Sequence, residues 1–254
     1  MGVEALQIPM FGLYGACSTS GEALALASMS AAAGYGGTMI AVTSSHFGSA
    51  EKEFRFPLGY ANQRPLSSHW TVTGSGAFLV QSAEEYRKQN TKSYFSNIRI
   101  TGVTVGKIVD YGLKDSQNMG ACMAPAAMDT IVQNFQDMER KEKDYDRIIT
   151  GDLGSIGRTI LFDLIREKGY DICEKHMDCG MTIFDKERQD THAGGSGCGC
   201  AAVTLASYVL PKLEKGEWKR VLFVPTGALM STVSFNEGAS VPGIAHGIVL
   251  ESDA

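Results

Sequence analysis

Two stretches of this chain read alike, and that echo constrains the fold more than any other feature. Residues 15–44, GACSTSGEALALASMSAAAGYGGTMIAVTS, run from a small-residue turn into an apolar helix, a glycine break and a β-rich strand. Residues 195–227, GSGCGCAAVTLASYVLPKLEKGEWKRVLFVPTG, repeat that order. A helix apolar on all faces is a buried one. A duplicated unit would therefore set two buried helices back to back beneath paired sheets. Two unrelated strand–helix units would share the same broad pattern, so the echo alone leaves both origins open.

The rest of the chain alternates in the manner of an α/β protein. Strands are predicted at residues 11–14, 38–43, 70–80, 97–109, 145–150, 220–224 and 243–251, with a short one near 181–184. Helices are predicted at 18–33, 125–139, 155–168 and 197–214, with Gly34 and Gly169 as stops. Gly74 and Gly76 sit in strand-like sequence, where a missing side chain marks a close approach. Residues 44–68, polar and holding Pro57 and Pro65, read as a long excursion.

At 254 residues, with 44% apolar and 20% charged side chains, the chain can bury a sizeable core without staples. The net charge of −5 comes from interspersed charges with no basic block, which argues against a nucleic-acid partner. Residues 1–9 lack a basic region followed by an apolar run, so the six cysteines are expected to be reduced thiols in a cytosol-like compartment. The longest apolar stretch, residues 221–230, is broken by Pro225 and Gly227 and is too short to span a bilayer.

Cys17 is the leading chemical candidate. It opens a buried helix, where backbone N–H groups and the positive helix end face the sulfur. Such a turn lowers a thiol pKa and attracts anions; it also suits a small buried residue filling a tight bend. None of the five histidines sits in a local nucleophile–base motif, and His246 lies in apolar strand sequence. Asp152 ends a strand and precedes a helix, a place that fits either a cap or the ligand crevice at a sheet's C-terminal edge. Ser196, in the glycine-rich turn AGGSGCGCAA, can donate a hydrogen bond to something held there. Cys173, His176 and Cys179, with Cys198 and Cys200, invite a zinc site, but their spacing matches no regular finger.

The blocks GLYGACSTS, TSSHFGSAEKEFRFPLGYANQRPLSSHWTVTGSGA, IITGDLGSIG, KHMDCG, AGGSGCGCAA, TGAL and IAHGIVLE together resemble the stage V sporulation protein AD family and, through it, the thiolase superfamily. The similarity runs over essentially the whole chain. It implies a thiolase-like αβαβα layered fold of two pseudo-repeats, residues 1–96 forming an incomplete first repeat and 97–254 the second, and a homodimer. Family members carry about two further strand–helix units ahead of the segment matching residues 3–9. A natural fragment, a misassigned start codon and a truncated paralogue would each account for this. The shortened first repeat is expected to expose a sheet edge and apolar surface.

Thiolase-fold condensing enzymes pair their cysteine with a histidine of the second repeat, and that position falls around Asp152. The asparagine position of the acyl-carrier-type synthases falls near Ser196. An aspartate beside a thiol raises its pKa, so the resemblance implies a site without condensation chemistry. Acyl transfer through Cys17 is the alternative. The family role implied is binding of dipicolinic acid, or its calcium chelate, for uptake into the developing spore. The protein is then expected at the cytoplasmic face of the forespore membrane, peripheral, beside the other SpoVA membrane proteins. For this planar dicarboxylate the expected contacts are the turns at Cys17 and Ser196, Arg55 on the second carboxylate, Trp70 against the ring and Asp152 near any bound calcium.

Overall fold

A computed structural model describes residues 4–54, 64–88 and 97–253. Its elements, in chain order, are α1 (Thr19–Ala32), β1 (Thr38–Ser45), α2 (Phe47–Phe54), β2 (His69–Thr71), β3 (Gly74–Gln81), α3 (Ala83–Lys88), β4 (Ile98–Thr104), α4 (Met119–Asp137), β5 (Arg147–Thr150), α5 (Gly154–Glu167), β6 (His176–Asp178), α6 (Cys179–Thr182), β7 (Gly194–Ser196), α7 (Cys198–Thr204), α8 (Leu210–Glu214), β8 (Arg220–Val224), β9 (Thr226–Ala228), α9 (Thr232–Asn236), β10 (Gly243–Ala245) and β11 (Gly247–Ser252).

The centre is a five-stranded sheet in the order β4-β11-β8-β5-β6. β5 runs parallel to β8 and β6, while β11 is antiparallel to β8 and β4. The central strands are apolar without interruption because both faces are covered. Alternation divides them: Ile148, Leu222, Val224 and Val249 pack with Met123, Ile131 and Phe135 of α4 and Leu161 and Ile165 of α5. Ile149, Val221, Phe223, Ile248 and Leu250 pack with Leu24 and Ala27 of α1 and Cys200, Ala201 and Leu205 of the opposite layer. On that side α1 and α7 also meet the antiparallel β1–β3 ribbon. The layers are thus α4/α5, sheet, α1/α7, ribbon. The echoed helices lie side by side, as the small residues of both require.

Glycines allow this close layering. A side chain at Gly74 would meet Val203 at 2.8 Å, and one at Gly76 would meet Ala202 at 2.7 Å. The outer face of the ribbon presents Ile40, Val42 and Leu79, which are 46%, 55% and 59% exposed, so this is an apolar surface rather than a set of isolated side chains.

Five expectations need correction. Residues 11–14 form no strand; Phe11 and Tyr14 are exposed, and a strand requires a ladder partner that the described residues do not supply. The helix expected from residue 125 begins at Met119, where the Asn118 side chain accepts from the Ala121 N–H. Its first turns are buried all round, which hides the amphipathic period, and Pro125 sits inside it. Residues 181–184 are not a strand, because the Asp178 carboxylate caps α6 by accepting from the Met181 N–H. The strand expected at 70–80 divides into β2 and β3. The long helix from residue 197 contains a π-helical turn, Leu205–Val209, just ahead of Pro211, whose missing N–H cannot continue a regular ladder.

Candidate functional site

The Cys17 turn is tight and strained. The Ser18 N–H and hydroxyl both donate to the Gly15 carbonyl, at 3.0 and 2.7 Å, and the Thr19 hydroxyl donates to Ala16 O at 2.7 Å. These bonds hold Ala16 at φ 50°, a left-handed conformation costly for a residue with a Cβ. Gly227 of β9 lies directly against the turn: a Cβ there would sit 2.3 Å from Gly15 O and 3.3 Å from the Cys17 nitrogen. Only glycine permits that approach.

Asp152 leaves the C-terminal end of β5 and is 1% exposed. Its Oδ2 accepts from the Gly197 N–H at 3.0 Å and its Oδ1 from the Thr226 hydroxyl at 2.9 Å. The Asp152 N–H returns a bond to Thr226 Oγ1 at 3.3 Å. The Cys17 thiol lies close enough to the same carboxylate to feel its charge. Burial pushes Asp152 up to about 7, against the pull of its bonds to Gly197 and Thr226. Burial, then the nearby Asp152 charge, pushes the Cys17 thiol well above its ordinary value. The helix-end setting alone predicts the reverse direction; desolvation and the carboxylate win here because both disfavour the thiolate.

Cys198 opens the second echoed helix and donates to Ser44 O at 3.1 Å; burial first, then Asp152, raises its pKa. Gly197, at φ 104°, starts that helix. Ser196 is 6% exposed and lines a cavity with Ser68, His69 and Thr71. That cavity holds about 10 Å³, room for roughly one water molecule.

Cys17 and Asp152 are therefore brought together, and Ser196 adjoins them through Gly197. Trp70 is not. It alternates with His69 and Thr71 along β2, so it points away from the Ser196 cavity. Its ring lies 4.7 Å from that of Phe47, and the Arg64 guanidinium sits 4.1 Å from its centroid. Strand register thus sets Trp70, the expected stacking residue, on the face opposite the Ser196 cavity. Arg55 lies outside the described residues. Among the described residues no three His, Cys, Asp or Glu side chains converge on a metal position. The zinc candidates go elsewhere: Cys173 Sγ accepts from Arg166 at 2.9 Å and His176 Nε2 meets Thr150 Oγ1 at 3.0 Å. His246, 7% exposed, meets the Gly106 N–H through Nδ1 at 3.2 Å.

Sequence reasoning missed Thr226, Gly227 and Asp178. The TGAL block after a strand end was the available signal for the first two. Asp178 carries four donors, from Thr150, Leu153, Gly154 and Met181, and so fixes the loop that presents Asp152.

Comparison with solved structures places this architecture. AbyA1, a tetronic acid condensing enzyme, matches with a TM-score of 0.61 at 14% identity, covering 97% of this chain and 69% of that one. The 3-oxoacyl-[acyl-carrier-protein] synthase III of Aquifex aeolicus VF5 matches with a TM-score of 0.56 at 12% identity, covering 98% and 69%. At such identities the likeness concerns the fold. The molecule is an α/β protein of thiolase-like fold in which Cys17 lies beside a buried aspartate. The sequence profile of Stage V sporulation protein AD (SpoVAD) matches residues 1–251. The Stage V sporulation protein AD of Bacillus subtilis (strain 168) is 43% identical over 246 residues, 97% of this chain and 69% of that protein. The chain belongs to the stage V sporulation protein AD family.

Proposed function

We propose that this chain is a non-catalytic small-molecule-binding protein of sporulation, with dipicolinic acid, or its calcium chelate, as the ligand at the Cys17–Asp152 turn. The observation that carries the non-catalytic reading is the buried Asp152 carboxylate close to Cys17, whose charge adds to burial in raising the thiol pKa. A condensing cysteine needs a basic or hydrogen-bond-donating partner for thiolate and enolate oxygens. Here the partner is an acid that keeps the thiol protonated.

The same acid supports binding of a carboxylate. With its pKa near 7, Asp152 is protonated in a large share of molecules at neutral pH. A protonated carboxyl can share its proton with a ligand carboxylate, where an ionised one would repel it. Calcium would arrive with the ligand, since both Asp152 oxygens are already engaged inside the protein. The one-water space beside Ser196 means that its walls must part for a ring to enter. A peripheral place at the forespore membrane, beside SpoVA partners and as a homodimer, belongs to the same proposal. It is supported by family membership and by the lack, among the described residues, of a helix long and apolar enough to cross a membrane.

Calorimetric titration of the folded protein with dipicolinate, with and without calcium, is expected to show saturable binding that weakens in Cys17→Ala and Asp152→Asn. No binding at millimolar ligand would end this reading. Acyl transfer is favoured by one observation, the strained Ala16 ahead of Cys17. Rapid, selective alkylation of Cys17 at neutral pH would move the assignment there.

A further inference from the structure

A second cavity, of about 320 Å³, opens beside β6, the edge strand of the five-stranded sheet. Its volume falls at the lower end of the range of small-molecule pockets, roughly 300–1,000 Å³. Arg147 reaches it from the start of β5, Arg158 from α5 and His176 from β6. Trp218 and Tyr208 form an aromatic wall, their rings edge-on at 72° with centroids 5.9 Å apart. Tyr208 stands on the π-helical turn, a distortion that recurs at functional positions.

The two guanidiniums are held in place but not neutralised. Arg147 donates to the Asp146 carbonyl at 2.8 Å and lies 5.5 Å from the Trp218 centroid. Arg158 lies 5.6 Å from the Phe162 centroid, and its Nε is buried with no hydrogen-bond partner. Among the described residues neither arginine forms an ion pair. The one carboxylate in the lining, Asp178, is 3% exposed and turned inward, so it does not cancel them. In a protein of net charge −5 this is a cationic island.

His176 adds a group of opposite polarity, and its proton can be placed. Asp178 accepts from the N–H groups of Leu153, Gly154 and Met181 and from the Thr150 hydroxyl. These donors occupy both carboxylate oxygens, so the Thr150 proton is spent on Asp178 at 2.7 Å. Thr150 Oγ1 therefore accepts from His176 Nε2 at 3.0 Å, which puts the imidazole proton on Nε2. Burial, then Arg158, lowers His176 to about 3, so the ring is neutral at pH 7. Nδ1 is then a bare lone pair, buried and without a hydrogen-bond partner, and such an atom calls for an explanation. A ligand that satisfies the whole set carries negative charge for the guanidiniums, a flat face for the aromatic wall and a hydrogen-bond donor for Nδ1. Inorganic phosphate lacks the face and a simple aromatic acid lacks the donor.

We propose that this cavity binds a nucleoside monophosphate: its phosphate on Arg147 and Arg158, its base against Trp218, and an amino group of the base donating to His176 Nδ1. The planar fork of arginine matches phosphate oxygens. Stacking on an aromatic ring accepts any base, so the contact with Nδ1 is what selects a base that carries an amino group. Nδ1 is closed to water as the side chains stand. The long Arg158 side chain, whose charge reaches His176, swings onto the phosphate as the base enters. The inference is carried by the cavity's own residues and does not require the binder reading of the Cys17 turn.

The test uses AMP as probe. Trp70→Phe leaves Trp218 as the sole indole, so its fluorescence reports on this cavity. AMP is expected to change that fluorescence saturably. Adenosine and ribose 5-phosphate are each expected to bind about tenfold more weakly, the first losing the charge-assisted contacts and the second the stacked ring. Purine riboside 5′-monophosphate, which is AMP without its amino group, is expected to lose about fivefold, and that loss should vanish in His176→Phe. Arg147→Gln and Arg158→Gln are each expected to weaken AMP about tenfold. Arg166→Gln, on the same helix as Arg158 but outside the lining, should leave its affinity unchanged. Circular dichroism checks that each variant is folded; should His176→Phe or Arg158→Gln fail to fold, the ligand series in the Trp70→Phe protein and Arg147→Gln decide the matter. No saturable response to AMP, equal affinity for inorganic phosphate, unchanged AMP binding in the glutamine variants of Arg147 and Arg158, or purine riboside monophosphate as tight as AMP would each overturn the proposal.

Discussion

The two echoed turns, at Cys17 and at Cys198, follow one local recipe and end in different chemistry. Each places a cysteine after a small-residue bend at the head of a buried helix. The first bend strains an alanine at φ 50°, while the second uses Gly197 at φ 104°. The Cys17 thiol turns to a buried carboxylate, and the Cys198 thiol to a backbone carbonyl on β1. The first helix, α1, is regular over 14 residues, whereas the second breaks into a π-helical turn after seven. A helix N-terminus therefore does not by itself activate a thiol. What faces the sulfur decides, and a carboxylate in a dry site outweighs the helix end.

The largest effect expected from breaking this asymmetry is in the pH dependence of stability. The folded state keeps a proton on Asp152 up to about pH 7, while the unfolded chain releases it near 3.8. Unfolding therefore becomes easier as pH rises between those values, by about 1.4 kcal/mol per pH unit for one proton. Asp178 and Glu22, also raised by burial, act in the same direction. His176 opposes them: burial, then Arg158, lowers it to about 3 from an ordinary 6.5, so its contribution improves as pH rises through that window. The wild type should show a shallow profile from pH 4 to 6.5. Asp152→Asn should tilt it upward with pH and His176→Gln downward, as read by denaturant midpoints. Parallel profiles in all three would contradict the assigned burial of these groups.

Next comes the contact that locks the first turn. Gly227→Ala is expected to lower the unfolding free energy by about 3 kcal/mol, because the added carbon meets the backbone of Gly15 rather than a movable side chain. Gly197→Ala tests the second turn by a different route, through its positive φ, with a cost of about 1–3 kcal/mol. Chemical denaturation of both variants compares the two directly.

Thiol alkylation sharpens the electrostatic difference. Native Cys17 should label slowly at pH 7. Asp152→Asn should speed it by about tenfold for each unit of pKa recovered, and should speed Cys198 less, since the Cys198 thiol turns to the Ser44 carbonyl rather than to this carboxylate. Equal acceleration of both cysteines would remove the distinction between the turns. The smallest effect is expected from Ser45→Ala. Its hydroxyl donates to Val72 O at 2.7 Å and accepts from the Gly199 N–H at 3.0 Å, tethering the second turn. Loss of these bonds should cost about 1 kcal/mol, measured by thermal unfolding.

Much of this organisation was legible in the order of residues. The apolar runs at β8 and β11, the small-residue helices and the glycines at 74 and 76 report burial and close approach, which act over a few residues and leave a local signature. Helix starts were less legible where the first turn is buried all round, as at Met119, because no polar face marks the period. The site was half legible. Cys17, Asp152 and Ser196 each sit where a turn meets a helix. Thr226 and Gly227 show nothing in isolation, since a threonine and a glycine after a strand are ordinary until the backbone of Gly15 arrives beside them. The face Trp70 takes was not legible, because alternation along β2, set by pairing with β7, decides it.

The sequence by itself determined the family, through the similarity of its motifs to known members, and the α/β class and the presence of a cysteine at a helix head, which depend on periodicity and local order. Only the tertiary structure decided that the thiol meets a buried acid, that Trp70 packs with Phe47 and Arg64, and that Arg147 and Arg158, 11 positions apart, share a cavity with Trp218. Such facts depend on which faces the sheet brings together and on how far the interior excludes water. Neither distance nor dielectric is written in a linear chain.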